Sequence, residues 1–261
     1  PMSAALWPVS ALLLGVAMLL TGSGLQGILL PIRAGLEGFA PLSIGAMGSC
    51  YFAGFGAGCF YGPRLVGAVG HIRSFAAMTA LATATALLHP FLPLPPVWWL
   101  LRIAAGFCFA VLYIVIESWL NERSTRETRG FVLSAYMIIN LTVVTVGQML
   151  LPLHDPRGLE LFALVAMAIS LAAVPVALTR AIAPAPPTVD KLRLGQLWAL
   201  SPAAVAACVA VGFANGAFWA LAPRFAQANG LDTGGIAWFM SATVLGGAVG
   251  QWPLGRLSDR G

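Results

Sequence analysis

Two ionisable side chains stand inside long apolar runs, Arg102 in WWLLRIAAGFCFA and Glu117 in LYIVIESWL. An arginine at the centre of a membrane helix costs about 2.5–3.5 kcal/mol on insertion scales, so one that is kept there has a task. For Arg102 two readings stand side by side. It contacts an anion or takes part in proton coupling, or it lies near a helix end and snorkels to the interface beside Trp98 and Trp99. Glu117 is the single acid within an apolar run. It is a candidate for proton coupling, and the alternative is an ion pair with Arg123, Arg126 or Arg129 a few residues on. Their fifteen-residue separation puts Arg102 and Glu117 about 60° apart on one helix face and roughly 22 Å apart along it, so they cannot touch.

The neutral polar residues within apolar runs are Gln26, Tyr113, Tyr136, Asn140, Gln148, Asn215, Trp219 and Gln251. Tyr136, Asn140 and Gln148 follow a four-residue spacing and share one helix face. Such a stripe lines a cavity, or it forms interhelical hydrogen bonds worth about 0.6 kcal/mol each on average. An intramembrane enzyme would need a nucleophile or metal constellation. Ser23 in TGSG has no histidine partner: His71 and His154 fall in loops and His89 near a helix end, and there is no HExxH. Cys50, Cys59, Cys108 and Cys208 lie in apolar runs without CxxC spacing and read as small packing residues, not as a metal or disulfide site. No enzyme activity, metal or cofactor is expected.

The elements that must position these groups follow from composition. Of 261 residues, 59% are hydrophobic and only 9% charged, with a mean hydropathy of +0.87. Soluble domains carry about 25% charged residues, so a water-soluble globular protein is excluded and an all-α membrane protein is expected. Apolar stretches bounded by charge, Pro or Gly give eight segments, about 7–32, 41–63, 74–94, 97–120, 130–151, 159–180, 199–224 and 233–255. The first has no basic region before it and is long for a cleaved signal, so it reads as a permanent helix. With the N-terminus cytoplasmic, ten Lys and Arg residues fall on the inner side against Arg33, Arg102, Arg157 and Arg224 on the outer, as the positive-inside rule asks. The net charge of +5 belongs to those loops and does not signal nucleic acid. Residues 181–198 carry a Pro-rich APAPP tract and form a linker, either a loose tether or a short amphipathic turn at the membrane surface.

Sliding the chain on itself by 192 residues superimposes Gly24 on Gly216, Pro31 on Pro223, Gly38 on Gly230, Gly54 on Gly246 and Gly58 on Gly250. Segments seven and eight thus repeat segments one and two, and a repeat unit holds six helices. Parallel six-helix repeats are an architecture of secondary transporters. Gly54, Gly58 and Gly62, with Gly246 and Gly250 in the second copy, clear one helix stripe of side chains for close packing. The stripe serves a sliding contact between two bundles or static packing within one.

The chain ends in GRLSDRG, with Gly255, Asp259 and Arg260 in the arrangement GxxxDR after segment eight. This resembles the loop signature GxxxDRxGRR of the major facilitator superfamily, which follows helices two and eight there. The first copy, PRLVGAVGHIR, has Pro63 and Gly67 where the family has Gly and Asp; Gly70, His71 and Arg73 keep its basic tail. By resemblance the gating role of the loop acid rests on Asp259. Arg102 and Gly106 match the family's RxxxG pattern in helix four. The GP-rich motif of drug-proton antiporters is missing from AYMIINLTVVTVGQMLL in segment five. Across nearly the whole chain the sequence is similar to the YcaD-type bacterial branch of this superfamily.

The resemblance implies the superfamily fold: a complete N-terminal six-helix bundle over 1–180, the linker 181–198, and the first two helices of a C-terminal bundle over 199–261. The sequence is then expected to be part of a longer chain of about twelve helices, to which the function belongs. In this family helices one, four and seven border the substrate cavity, so Gln26, Arg102, Asn215 and Trp219 are the leading binding residues, with Tyr113, Tyr136 and Asn140 beside them. The expected function is secondary transport of a small solute, anionic or zwitterionic, by alternating access in the bacterial inner membrane. The alternative is a transport-inactive sensor or channel-like protein of the same fold. The expected partners are the small-molecule substrate, protons if Glu117 is the coupling residue, and the lipid bilayer, with the protein a monomer.

Overall fold

The computed structural model describes residues 10–125, 128–179 and 194–258. It holds α1 (Ser10–Leu36), α2 (Pro41–Val69), α3 (His71–Phe91), α4 (Pro95–Arg123), α5 (Arg129–Met149) with a 3-10 turn at Leu151–Leu153, α6 (Glu160–Leu171), α7 (Ala173–Ala177), α8 (Leu194–Leu200), α9 (Pro202–Ala228) and α10 (Thr233–Ser258). No strand occurs among the described residues. In hydrocarbon every backbone N–H and C=O needs a partner, and a helix supplies them all from within one segment. Among the described residues, six spans are long and apolar enough to cross a membrane: α1, α3, α4, α5 with its 3-10 turn, α6 with α7, and α9. The glycine-rich α2 and α10 have comparable lengths, 29 and 26 residues.

Each expected segment falls on a helix, and the boundaries show the local chemistry. Proline stands in the first turn of α2, α4 and α9, where its missing N–H has no helical partner to lose. Segment two was expected to stop at Pro63, yet α2 runs through it to Val69. Ending the helix there would strand several backbone groups, whereas continuing forfeits one hydrogen bond. Gly70, at φ 88°, ends α2 and donates its N–H to the Val66 carbonyl at 2.8 Å. Segment six is not one helix. It breaks at Ala172 between α6 and α7, where Pro175 lacks an N–H for the Leu171 carbonyl and its ring crowds that group. Part of the linker is helical, as α8; residues 181–193 lie outside the described residues.

Helices α1 to α7 pack into one body, with α2 on α4, α1 on α5, and α3 against both α4 and α6. Helix α9 docks on α1 and α2, and α10 docks on α5. The glycine stripe settles inside the first body. A Cβ on Gly54 would fall on the Ile103 carbonyl and one on Gly58 on Ala110 and the Phe107 carbonyl, all in α4. The sliding-contact reading is therefore wrong for this stripe, which holds α2 to α4. In α10, Gly246 and Gly250 have no neighbour among the described residues within 4 Å of a built Cβ. The docking surface for α9 uses other glycines of α2, Gly45 against Leu221 and Gly48 against Ala220.

Candidate functional site

Where α1, α2, α4, α5 and α9 converge, they enclose a cavity of about 310 Å³. Arg102 enters from α4, Gln26 from α1, Gln148 from α5 and Trp219 from α9, with Tyr51 and Tyr113 beside Arg102. No acidic side chain among the described residues lines it.

Two glycine crossings build this arrangement. Gly106 brings α4 so near α2 that a Cβ would fall on the Tyr51 carbonyl. Tyr51 and Arg102 are thereby set opposite each other, and the guanidinium carbon lies 4.2 Å from the Tyr51 ring centroid. Arg102 has no hydrogen-bonded or ion-paired partner among the described residues. At the second crossing a Cβ on Gly24 would meet the Val144 carbonyl and one on Gly147 the Thr21 carbonyl. This apposes α1 and α5 and turns Gln26 and Gln148 to one cavity. Gln26 is 3% exposed and its Nε2 has no hydrogen-bond partner. Gln148 is 1% exposed, and its Oε1 accepts a 3.1 Å hydrogen bond from the Ser241 hydroxyl of α10. That bond ties a cavity residue to the repeated helix pair.

Of the residues singled out in the sequence, the structure gathers Gln26, Arg102, Tyr113 and Trp219 around one space. Tyr136 and Asn140 do not line this cavity, so of their stripe only Gln148 does. Asn215 is exposed and its Nδ2 donates to its own helix, at the Val211 carbonyl, 3.2 Å away. Arg102 is not an interfacial anchor beside two tryptophans. Trp98 is fully buried and its Nε1 donates to the His89 carbonyl at 2.9 Å, while Arg102 points to the cavity. Glu117 lines a separate recess with Phe55, Cys59 and Ile114, and Tyr113 forms part of both walls. Of the three arginines weighed as its partner, Arg126 lies outside the described residues.

The loop signature is partly in view. Gly70 caps α2, Arg73 is exposed and Gly255 lies in α10, whereas Asp259 and Arg260 fall outside the described residues. His71 is not in a loop but opens α3, buried, with Nε2 2.8 Å from the Ser118 hydroxyl. Ser118 already donates its proton to the Val115 carbonyl, so the imidazole is the donor and the pair is a packing contact. Two of the four cysteines, Cys59 and Cys208, are exposed instead of packed.

Two residues went unread in the sequence. Tyr51 sits in YFAGFGAG, and its place beside the glycine stripe opposite RxxxG was the available signal. Arg33 is buried at the end of α1, ion-paired with Glu37 at 2.6 Å and donating to the carbonyls of Pro156, Arg157 and Gly158. Its signal was the acid four residues on.

Long apolar helices packed around a small, largely apolar cavity with a few polar side chains define an integral membrane protein of the transporter class. The chain belongs to the Major Facilitator Superfamily, whose family model matches residues 12–261. It is 26% identical over 255 residues to an MFS-type transporter of Enterobacter sp. (strain 638), covering 97% of this chain and 67% of that protein. It is 27% identical over 255 residues, with the same coverage, to the MFS-type transporter YcaD of Escherichia fergusonii. The chain thus spans about two thirds of the length of these relatives. Among solved structures, a mutant of the nucleoside transporter NupG superimposes with a TM-score of 0.70 at 15% identity, covering 97% of this chain and 68% of that one. That likeness is one of fold.

Proposed function

We propose that this chain is the substrate-holding part of a secondary transporter that carries a small anionic or zwitterionic solute across the bacterial inner membrane by alternating access. The observation that carries the reading is the cavity itself. It is lined by elements of both copies of the repeat, and it holds a cation with no counter-charge among the described residues. The contact between α9 and the rest is uneven, which fits a rocking pair. Toward the α9–α10 turn, Ala222, Pro223 and Ala226 are buried and Arg224 lies against Gly35. Toward the α8 end, Val209, Val211 and Phe213 are exposed. By the positive-inside rule the N-terminus is cytoplasmic, so the closed end faces outward. The protein acts as a monomer, and Glu117, in the recess behind Tyr113, is the proton-coupling residue. Counterflow in proteoliposomes tests the carrier reading, since accelerated exchange separates a carrier from a sensor or channel. With Glu117→Gln, gradient-driven uptake should vanish while exchange persists; undiminished driven uptake would refute the coupling role.

A further inference from the structure

Taking the cavity as the substrate site, we propose that its ligand is a small organic monoanion, a monocarboxylate on a flat apolar body, and that amines, zwitterions and dianions are excluded. The charge argument comes first. Arg102 is the one cationic group on the cavity wall among the described residues, and no acid accompanies it. A buried charge needs a counter-charge or hydrogen bonds, and here neither is supplied by the described residues. A ligand ammonium would meet no carboxylate among the described residues of this wall, since Glu117 lines the other recess. A second ligand carboxylate would meet no second cation.

Geometry then narrows the headgroup. Tyr51 stacks on a guanidinium face, a contact that uses none of its five N–H donors. Those remain for a carboxylate, which a guanidinium fork grips through two parallel bonds. Gln26 brings an amide whose nitrogen has no acceptor. Gln148 has its oxygen held by Ser241, which leaves the donor end of its amide for the ligand. The wall is thus rich in donors and poor in acceptors.

The body of the ligand is set by what surrounds Arg102. Phe52, Phe109, Tyr113 and Trp219 supply ring surfaces, and Gly27 adds a position with no side chain. At about 310 Å³ the space is at the small end of ligand pockets. A single aromatic or unsaturated acid suits it.

Benzoate serves as the probe, with the full chain purified in detergent and binding measured by equilibrium dialysis of radiolabelled benzoate. Saturable binding is expected, displaced by other small monocarboxylates but not by matched concentrations of benzylamine, phenylalanine or phthalate. Arg102→Gln should weaken binding by roughly tenfold or more. Arg102→Lys, which keeps the charge and loses the fork, should retain part of it and show that the site is folded. Absence of saturable benzoate binding, equal displacement by benzylamine or phenylalanine, or unchanged affinity in R102Q overturns the proposal. Benzoate that binds but shows no counterflow in vesicles overturns the transporter reading and leaves the ligand class standing. Counterflow of an amine or zwitterion without benzoate binding does the reverse.

Discussion

Helices α1 and α9 are copies of one another with opposite surroundings. Each has 27 residues and a hydropathy of 1.8 over its most apolar window, yet 67% of that window is buried within the protein in α1 and none of it in α9. Pro31 and Pro223 interrupt both at the same place. Their small residues differ as well. Gly15 and Gly22 of α1 lie against Ala172 and Ile169, with no room for a Cβ; at the related places α9 has Ala207 and Ala214. Hydropathy records the solvent a helix must tolerate, and in a bilayer lipid and protein are equally apolar. Glycine at a helix face records the neighbour.

The sharpest test uses the one glycine common to both copies of this helix's midpoint. A Cβ on Gly24 would lie 2.5 Å from the Val144 carbonyl, whereas one on Gly216 would lie 3.4 Å from the Phe52 ring. Gly24→Ala should destabilise by about 3 kcal/mol, at the upper end for overpacking because backbone must move. Gly216→Ala should stay within about 0.5 kcal/mol. Thermal unfolding in detergent reads both, and equal losses would break the comparison. Next comes the pair Arg33 and Phe225, related by the same offset. Arg33→Gln releases three loop carbonyls and should cost about 2 kcal/mol, as for hydrogen bonds to a charged group. Phe225 is 65% exposed, and Phe225→Ala should again be near neutral. Hydrogen exchange at residues 154–159 should rise in the first variant alone. The smallest effect is expected from Ser241→Ala, which leaves the Gln148 oxygen without its donor at about 1 kcal/mol. Faster exchange in the 233–244 part of α10, with α1 unchanged, would show that this bond holds the copied pair on its host. Unchanged exchange in α10 would assign the docking to apolar contact.

Much of the fold was legible because a bilayer leaves a chain few choices. Long apolar runs had to be helices, and the 192-residue offset places α9 at Pro202–Ala228, the image of Ser10–Leu36. Boundaries were less so, since Pro63 reads as a stop and the helix carries it through. In the site, Arg102 and Gln26 were visible as polar groups in apolar surroundings. Tyr51 was not, because its role depends on how near Gly106 lets α4 approach, a tertiary fact at which the neighbouring glycine stripe only hints. Asn215 is the reverse case, exposed on α9 and not on the cavity wall. Polarity marked it, but its amide is spent on the Val211 carbonyl of its own helix. The stripe at Gly54 announced a close contact without naming the partner.

The two tight turns bear on how the chain is made. After α1, Gly38 at φ 77° lets the Phe39 N–H reach the Ala34 carbonyl at 2.9 Å; after α9, Gly230 at φ 86° lets the Leu231 N–H reach the Ala226 carbonyl at 3.2 Å. Each turn leaves four residues between its helices, at most roughly 14 Å of extended chain against a hydrocarbon core about 30 Å thick. Once the first helix of a pair is across, the ribosome has only four residues to add before the second must start back. A helix pair joined this closely has both ends of its connection on one side of the membrane, twice over and with the same tip. At the first tip Arg33 and Glu37 cancel each other's charge.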